Sequence, residues 1–361
     1  EWELSVVDNL GSNNLLHTSL SHQLDGNPAI AYKSNGTTIK YAAYDGENWN
    51  ISAIDQGNFN AYEHPSLSFG PDGKPAIAYI LGSELRFAQY DGEQWAISVL
   101  PVAPRISLHL RHNPDGQPAI AYVQADKGLG FTVYDGQNWN SQTVIAAQSN
   151  GWPSLAFDAN GFPAIAQERS GGLQYVVFDG ETWQSSTVAS GTGITGLPAL
   201  SFSPEGHPGI ASRRFSSNPP NLNFSSFDGQ DWSTEVPGGE EGDFGWFASI
   251  SHNPEGYPEL ASIALIDGRW GVRHVAFDGQ NWVSQQVDFT AGQVGRGISL
   301  AHGPSGDTAI SYKDVTNQTL KIARKKRVIP SLTLTHTVTQ PAIDPEADTD
   351  GDGVLDIHET N

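Results

Sequence analysis

The chain has 361 residues, with 40 acidic against 19 basic side chains and neither cysteine nor methionine. A formal charge of −21 argues against a general binder of nucleic acid or anionic membrane, because phosphates need a positive surface. Without cysteine there is no disulfide framework, thiolate metal site or thiol nucleophile, and no apolar run is long enough to span a membrane. The lack of easily oxidised residues and of an initiator methionine predicts a processed chain in an extracellular or cell-surface setting, after removal of a signal peptide.

Asp25-Gly26-Asn27-Pro28 leads into Ala29-Ile30-Ala31-Tyr32, and the phrase returns with prolines at Pro75, Pro118, Pro163, Pro208 and Pro258. A seventh copy carries Thr308 in the proline's place, and spacings of 47, 43, 45, 45, 50 and 50 residues mark a repeat architecture. A second phrase, aromatic-D-G-x-x-W, recurs at 44–49, 90–95, 134–139, 178–183, 227–232 and 277–282. Asp-Gly supplies the positive φ of tight hairpins. In the second copy four strands are predicted, over 65–69, 75–80, 85–90 and 95–100.

Four antiparallel strands per repeat describe one propeller blade, so the fold class is all-β, a seven-bladed β-propeller over residues 1–330. The seventh repeat lacks the D-G-x-x-W phrase. Residues 1–7, with Trp2 in the recurring tryptophan slot, are predicted to supply its fourth strand, in competition with residues 331–335. The two phrases resemble the secreted bacterial seven-bladed propeller repeats of the D-G-x-P-x-I-x-Y type. That resemblance covers about residues 1–330 and implies a fold rather than an activity.

Residues 331–343 read as a Thr-rich linker or an extra strand, and 344–361 as an acidic tail. From Asp348 the tail fits D-x-D-x-D-G-x-x-D-x-x-E. Asp348, Asp350, Asp352 and Asp356 can converge on one hard cation, with the Val354 carbonyl and a bidentate Glu359 completing the set. The segment resembles a dockerin or thrombospondin type 3 calcium loop, which implies calcium as the cofactor and a spacing or attachment role.

Repeats offer an internal control for site residues. His22, His112, His252 and His302 share a first-strand slot that is phenylalanine in other repeats, and so read as packing. His17 and His64 share a slot just before the first strand. His109 replaces the small residue found as Ser19, Ser66, Ser154, Ala199, Ser249 and Ser299, and Arg111 likewise replaces Ser or Ala. Trp152, Trp246 and Trp270 fall outside the blade-tryptophan slot, in connections that emerge on one face of a propeller. Lys33, Arg105, Arg169, Arg213, Arg214, Arg296 and Lys313 sit at the same loops or strand ends, beside Tyr32 and Tyr79.

Aromatic faces stack on sugar rings, and arginine recognises carboxylate or sulfate bidentately. This composition predicts a loop face that binds a ligand, with an acidic polysaccharide ahead of a protein partner. A catalytic alternative is β-elimination on a uronate polymer, with His17 or His64 as base, Tyr32 or Tyr79 as acid and Arg169, Arg213 or Arg214 neutralising the carboxylate. Ulvan lyases on seven-bladed propellers use a similar His/Tyr/Arg set. A plain interaction scaffold is the third reading, since no G-x-S-x-G, H-E-x-x-H or sialidase box occurs.

Overall fold

A computed structural model describes residues 1–11, 17–59, 64–146, 149–169, 172–190, 197–214, 221–238, 243–290 and 293–327, without the side chains of 149, 150, 243, 244, 246, 295 and 296. Seven four-stranded antiparallel sheets follow one another along the chain. The strands fall where the two phrases place them: in blade two they are Ser66–Phe69, Pro75–Leu81, Glu84–Tyr90 and Trp95–Val99. First strands are innermost and line the axis, while fourth strands form the rim. Hairpins within blades that join strands one to two and three to four gather on a turn face. The remaining connections form the opposite, loop face.

Blade one begins at Thr18–His22, and blade seven holds Val294–His302, Thr308–Asp314 and Thr319–Lys325. The N-terminal strand Glu3–Asn9 completes blade seven, with Glu3 opposite Arg324 and Asn9 opposite Thr319. Residues 1–327 make one compact unit. The linker and the calcium-loop residues Asp348, Asp350, Asp352, Val354, Asp356 and Glu359 lie outside the described residues.

The core sits between blades. Because side chains alternate along a strand, Ala29 and Ala31 face blade two while Ile30 and Tyr32 face blade seven. Five blade tryptophans meet a third-strand aromatic of the preceding blade edge-on, as in Tyr41–Trp95 at 5.3 Å and Phe87–Trp139 at 5.0 Å, while Trp49 packs on the aliphatic cluster that holds Ile322. Such pairs contribute about 0.5–1.5 kcal/mol beyond their buried area. Ring closure reuses the contact with His274 in the aromatic position: Trp2 meets it at 5.0 Å and donates from Nε1 to Gln285.

A second fastener joins three of the blade pairs. Tyr32 Oη donates to Asp8 at 2.7 Å, and Lys40 pairs with the same carboxylate at 2.8 Å. Tyr79 and Arg86 treat Asp55 alike, at 2.7 and 2.8 Å, and Tyr312 with Lys321 binds Asp288. Each aspartate belongs to the rim strand of the preceding blade. Tyr32 and Tyr79 are 0 % exposed, and burial followed by the hydrogen bond to aspartate pushes both phenols well above their ordinary pKa. The structure therefore occupies these two tyrosines as blade fasteners turned toward the rim. It does not bring them to His17 and His64.

Candidate functional site

The first strands are knitted together around the axis by one repeated slot. Ser19 Oγ accepts the Leu67 N–H at 2.9 Å, Ser66 accepts Leu110 at 3.0 Å, and Ser154 accepts Leu200 at 2.9 Å. Ser249 and Ser299 continue the pattern to Leu300 and Leu20, each at 3.0 Å, while Ala199 in blade five has no side-chain acceptor to offer its neighbour. His109 occupies the slot in blade three and performs the same task, its Nδ1 accepting the Leu155 N–H at 2.7 Å. A neutral imidazole that accepts at Nδ1 carries its proton on Nε2. Burial, then Arg111 and His64, lower the pKa of His109 well below the ordinary value, so this tautomer holds at neutral pH.

Two residues toward the loop face lies a second ring of equivalent positions, made of His17, His64, Ser107, Trp152, Leu197, Phe247 and Gly297. Four of these side chains meet although they come from blades one, two, four and six. His17 lies 4.5 Å from His64, 5.1 Å from Trp152 and 4.9 Å from Phe247, and His64 stacks on Trp152 at 5.3 Å. Rings from such separated blades can touch only over the axis, so they form an aromatic plug across the loop-face end of the channel.

Backbone geometry shows that the plug is built at a cost. Trp152 and Phe247 hold left-handed φ values of 61° and 53°, at bulges in their strands, and Gly297 follows with 65°. A bulky residue in that region costs on the order of 1–3 kcal/mol, and such strain concentrates at functional sites. The Trp152 N–H is satisfied by Ser107 Oγ at 2.8 Å. Burial, first, and then His64 and Lys33 lower the pKa of His17 well below normal. Burial, with a smaller contribution from Lys33, lowers that of His64 to about 4. Both imidazoles are neutral at pH 7.

Behind the plug an axial cavity of about 440 Å³ runs between the first strands. Arg111 projects from the slot that is Ser21, Ser68, Ala156, Ser201, Ser251 and Ala301 elsewhere, deeper than His109. Burial lowers its pKa to about 10, which still leaves it charged. Sequence reasoning grouped His109 and Arg111 with the loop face; the structure places them inside the channel.

The other predicted cations divide. Lys33, Arg213 and Lys313 are 2 %, 2 % and 1 % exposed, so each is buried rather than a displayed charge. Arg105 and Arg214 are exposed, and Arg169 and Trp270 are half-buried. The side chains of Trp246 and Arg296 lie outside the described residues. Among the described residues no cluster of three His, Asp or Glu side chains could hold a metal ion. Sequence reasoning missed that Trp152 and Phe247 occupy the very slot of His17 and His64. Counting back two residues from Ser154 and Ser249, as from Ser19 and Ser66, would have found them.

We expect His109→Ser, which restores the residue of the other blades, to leave stability almost unchanged. His109→Ala, which strands the Leu155 N–H, should cost about 1–2 kcal/mol. Urea unfolding midpoints of the two variants check this.

The fold and the axial site define a seven-bladed propeller with an aromatic-capped channel. No family model matches the chain, and no curated protein matches it. Among solved structures, a protein of unknown function from Dyadobacter fermentans is similar over 90 % of this chain and 98 % of its own, at 13 % identity and a TM-score of 0.58. The Aleuria aurantia lectin, in complex with Fucα1-6GlcNAc, is similar over 79 % of this chain and 99 % of its own, at 11 % identity and a TM-score of 0.54. The NanB sialidase of Streptococcus pneumoniae is similar over 90 % of this chain and 70 % of its own, at 10 % identity and a TM-score of 0.52. These likenesses establish the shared propeller fold.

Proposed function

We propose that this is a secreted or cell-surface propeller that binds an acidic glycan across its loop face. The observation that carries the reading is the aromatic plug, whose Trp152 is held in a strained backbone conformation at the centre of that face. An aromatic face packs against the C–H surface of a sugar ring, while the exposed Arg105 and Arg214 supply donors for carboxylate or sulfate. The lectin of similar fold is in complex with Fucα1-6GlcNAc, which supports a glycan as the ligand class. The calcium-loop reading of residues 348–359 belongs to this proposal as an attachment element, with no part in ligand contact.

The test is a glycan array followed by titration calorimetry. Sulfated or uronate oligosaccharides should be retained over neutral ones, and Trp152→Ala should weaken binding about tenfold, equivalent to ~1.4 kcal/mol. Retention of neutral glycans alone would sink the acidic reading, and an empty array would sink glycan binding altogether.

A second reading, β-elimination on a uronate polymer, has one observation behind it. His64 is held neutral, and its buried Nε2 has no hydrogen-bond partner among the described residues, as a base awaiting a proton requires. With Tyr32 and Tyr79 committed to aspartates, this reading lacks its acid. We expect no rise in absorbance near ~235 nm during incubation with uronate polymers, and a rise abolished by His64→Ala would favour the lyase.

A further inference from the structure

We propose that the axial channel binds a small oxyanion, a carboxylate, sulfate or phosphate, on the guanidinium of Arg111. The chain carries 40 acidic residues, yet no aspartate or glutamate lines the cavity. Arg111 is the one arginine or lysine among the lining residues. Its hydrogen bond goes to the Leu110 carbonyl at 3.2 Å, and no carboxylate lies within 4.0 Å of it among the described residues. A cation partly withdrawn from bulk water without a counter-charge carries a desolvation cost, and an incoming oxyanion offsets it.

The surroundings supply the rest of an anion site. His109 stands two residues away on the same side of its strand, and its bond to Leu155 leaves Nε2–H as a donor. Ser21, in the blade-one copy of the Arg111 slot, adds a hydroxyl to the wall. Arg111 is only half-buried, so solvent reaches it. The planar fork of arginine suits the paired oxygens of a carboxylate or a tetrahedral oxyanion. In six of seven repeats this slot is Ser or Ala, so packing does not demand an arginine. The site stands apart from the loop-face reading, since neither the plug nor a sugar takes part in it.

The repeat itself provides the control variant. Arg111→Ser installs the residue of blades one, two, five and six and should fold normally. Acetate, sulfate and phosphate would each be titrated by calorimetry into the full chain and the variant, in Tris–chloride at constant ionic strength. We expect saturable one-to-one binding of at least one of them, weakened tenfold or more by Arg111→Ser and unchanged by Trp152→Ala. Preference for acetate assigns a carboxylate ligand, and preference for sulfate or phosphate assigns a tetrahedral one. Absence of saturable binding by all three, or equal binding in wild type and Arg111→Ser, would overturn the proposal. A thermal scan gives a second readout: without added oxyanion the variant melts no lower than wild type, and saturating ligand raises only the wild type. A ligand-induced rise of equal size in both proteins would likewise refute it.

Discussion

Deletion of residues 1–9 is expected to abolish the single cooperative unfolding transition and to cause self-association. The N-terminal strand Glu3–Asn9 pairs with Thr319–Lys325 along its length, so removing it leaves that strand as an open edge, a template for pairing with another chain. Asp8 leaves with it, stranding the buried Tyr32 hydroxyl and Lys40, and breaking such a pair costs about 3–5 kcal/mol. Trp2 and Val7 leave as well, and loss of a packed tryptophan side chain costs about 3 kcal/mol. These losses together approach the whole stability of a typical domain, about 5–15 kcal/mol. Light scattering and a urea titration would test the expectation. A monodisperse monomer with an unchanged midpoint would mean that another segment closes the ring, residues 331–335 being the first candidate.

Asp288→Ala should be the most damaging single substitution among the blade fasteners, lowering stability by about 3–5 kcal/mol. Its carboxylate is buried and accepts from Tyr312 at 2.8 Å, from Lys321, and from the backbone and hydroxyl of Thr290 at 3.1 and 2.6 Å. Truncation leaves the buried Tyr312 phenol without its acceptor and Lys321 with only Asp314, 3.9 Å away, whereas Tyr312→Phe removes one donor and should cost about 1 kcal/mol. Burial pushes the Asp288 carboxyl up, but the bonds from Lys321, Thr290 and Tyr312 outweigh it and hold the pKa below the ordinary carboxylate value. A lowered folded pKa means that this contribution is complete above the unfolded value and is lost as pH falls through the folded one. Urea midpoints of wild type should therefore drop in acid more steeply than those of Asp288→Ala. Parallel acid profiles would count against the assignment.

The architecture was legible because two turn phrases recur and hairpin chemistry is local. Strand limits in blade two differ from the sequence expectation by a residue or so at their ends, and Trp2 correctly marked the closing strand. The blade fasteners were equally within reach. Asp8, Asp55 and Asp288 each follow a blade tryptophan by six residues, in register with Tyr32, Tyr79 and Tyr312 one blade on. They went unread because the link crosses blades, so its partners are distant in sequence. The cations misled for a related reason. A strand end gives a side chain's height but not whether it points outward or into the next blade, and Lys33, Arg213 and Lys313 point inward. Depth along the axis was likewise hidden. His17, His109 and Arg111 lie at three successive levels, and only the register of neighbouring first strands distinguishes them.

The pairing of Glu3 with Arg324 also sets how the propeller can be held. Trp2 opens the rim strand on the turn face, and the Arg327 N–H is anchored there by Asp307 at 2.7 Å, in the blade-seven hairpin. The chain thus enters the propeller at Trp2 and leaves it at Arg327 on the same face, opposite the aromatic plug. A tether applied at Trp2 or at Arg327, to a surface or a sensor chip, therefore has the same polarity and directs the plug away from the support.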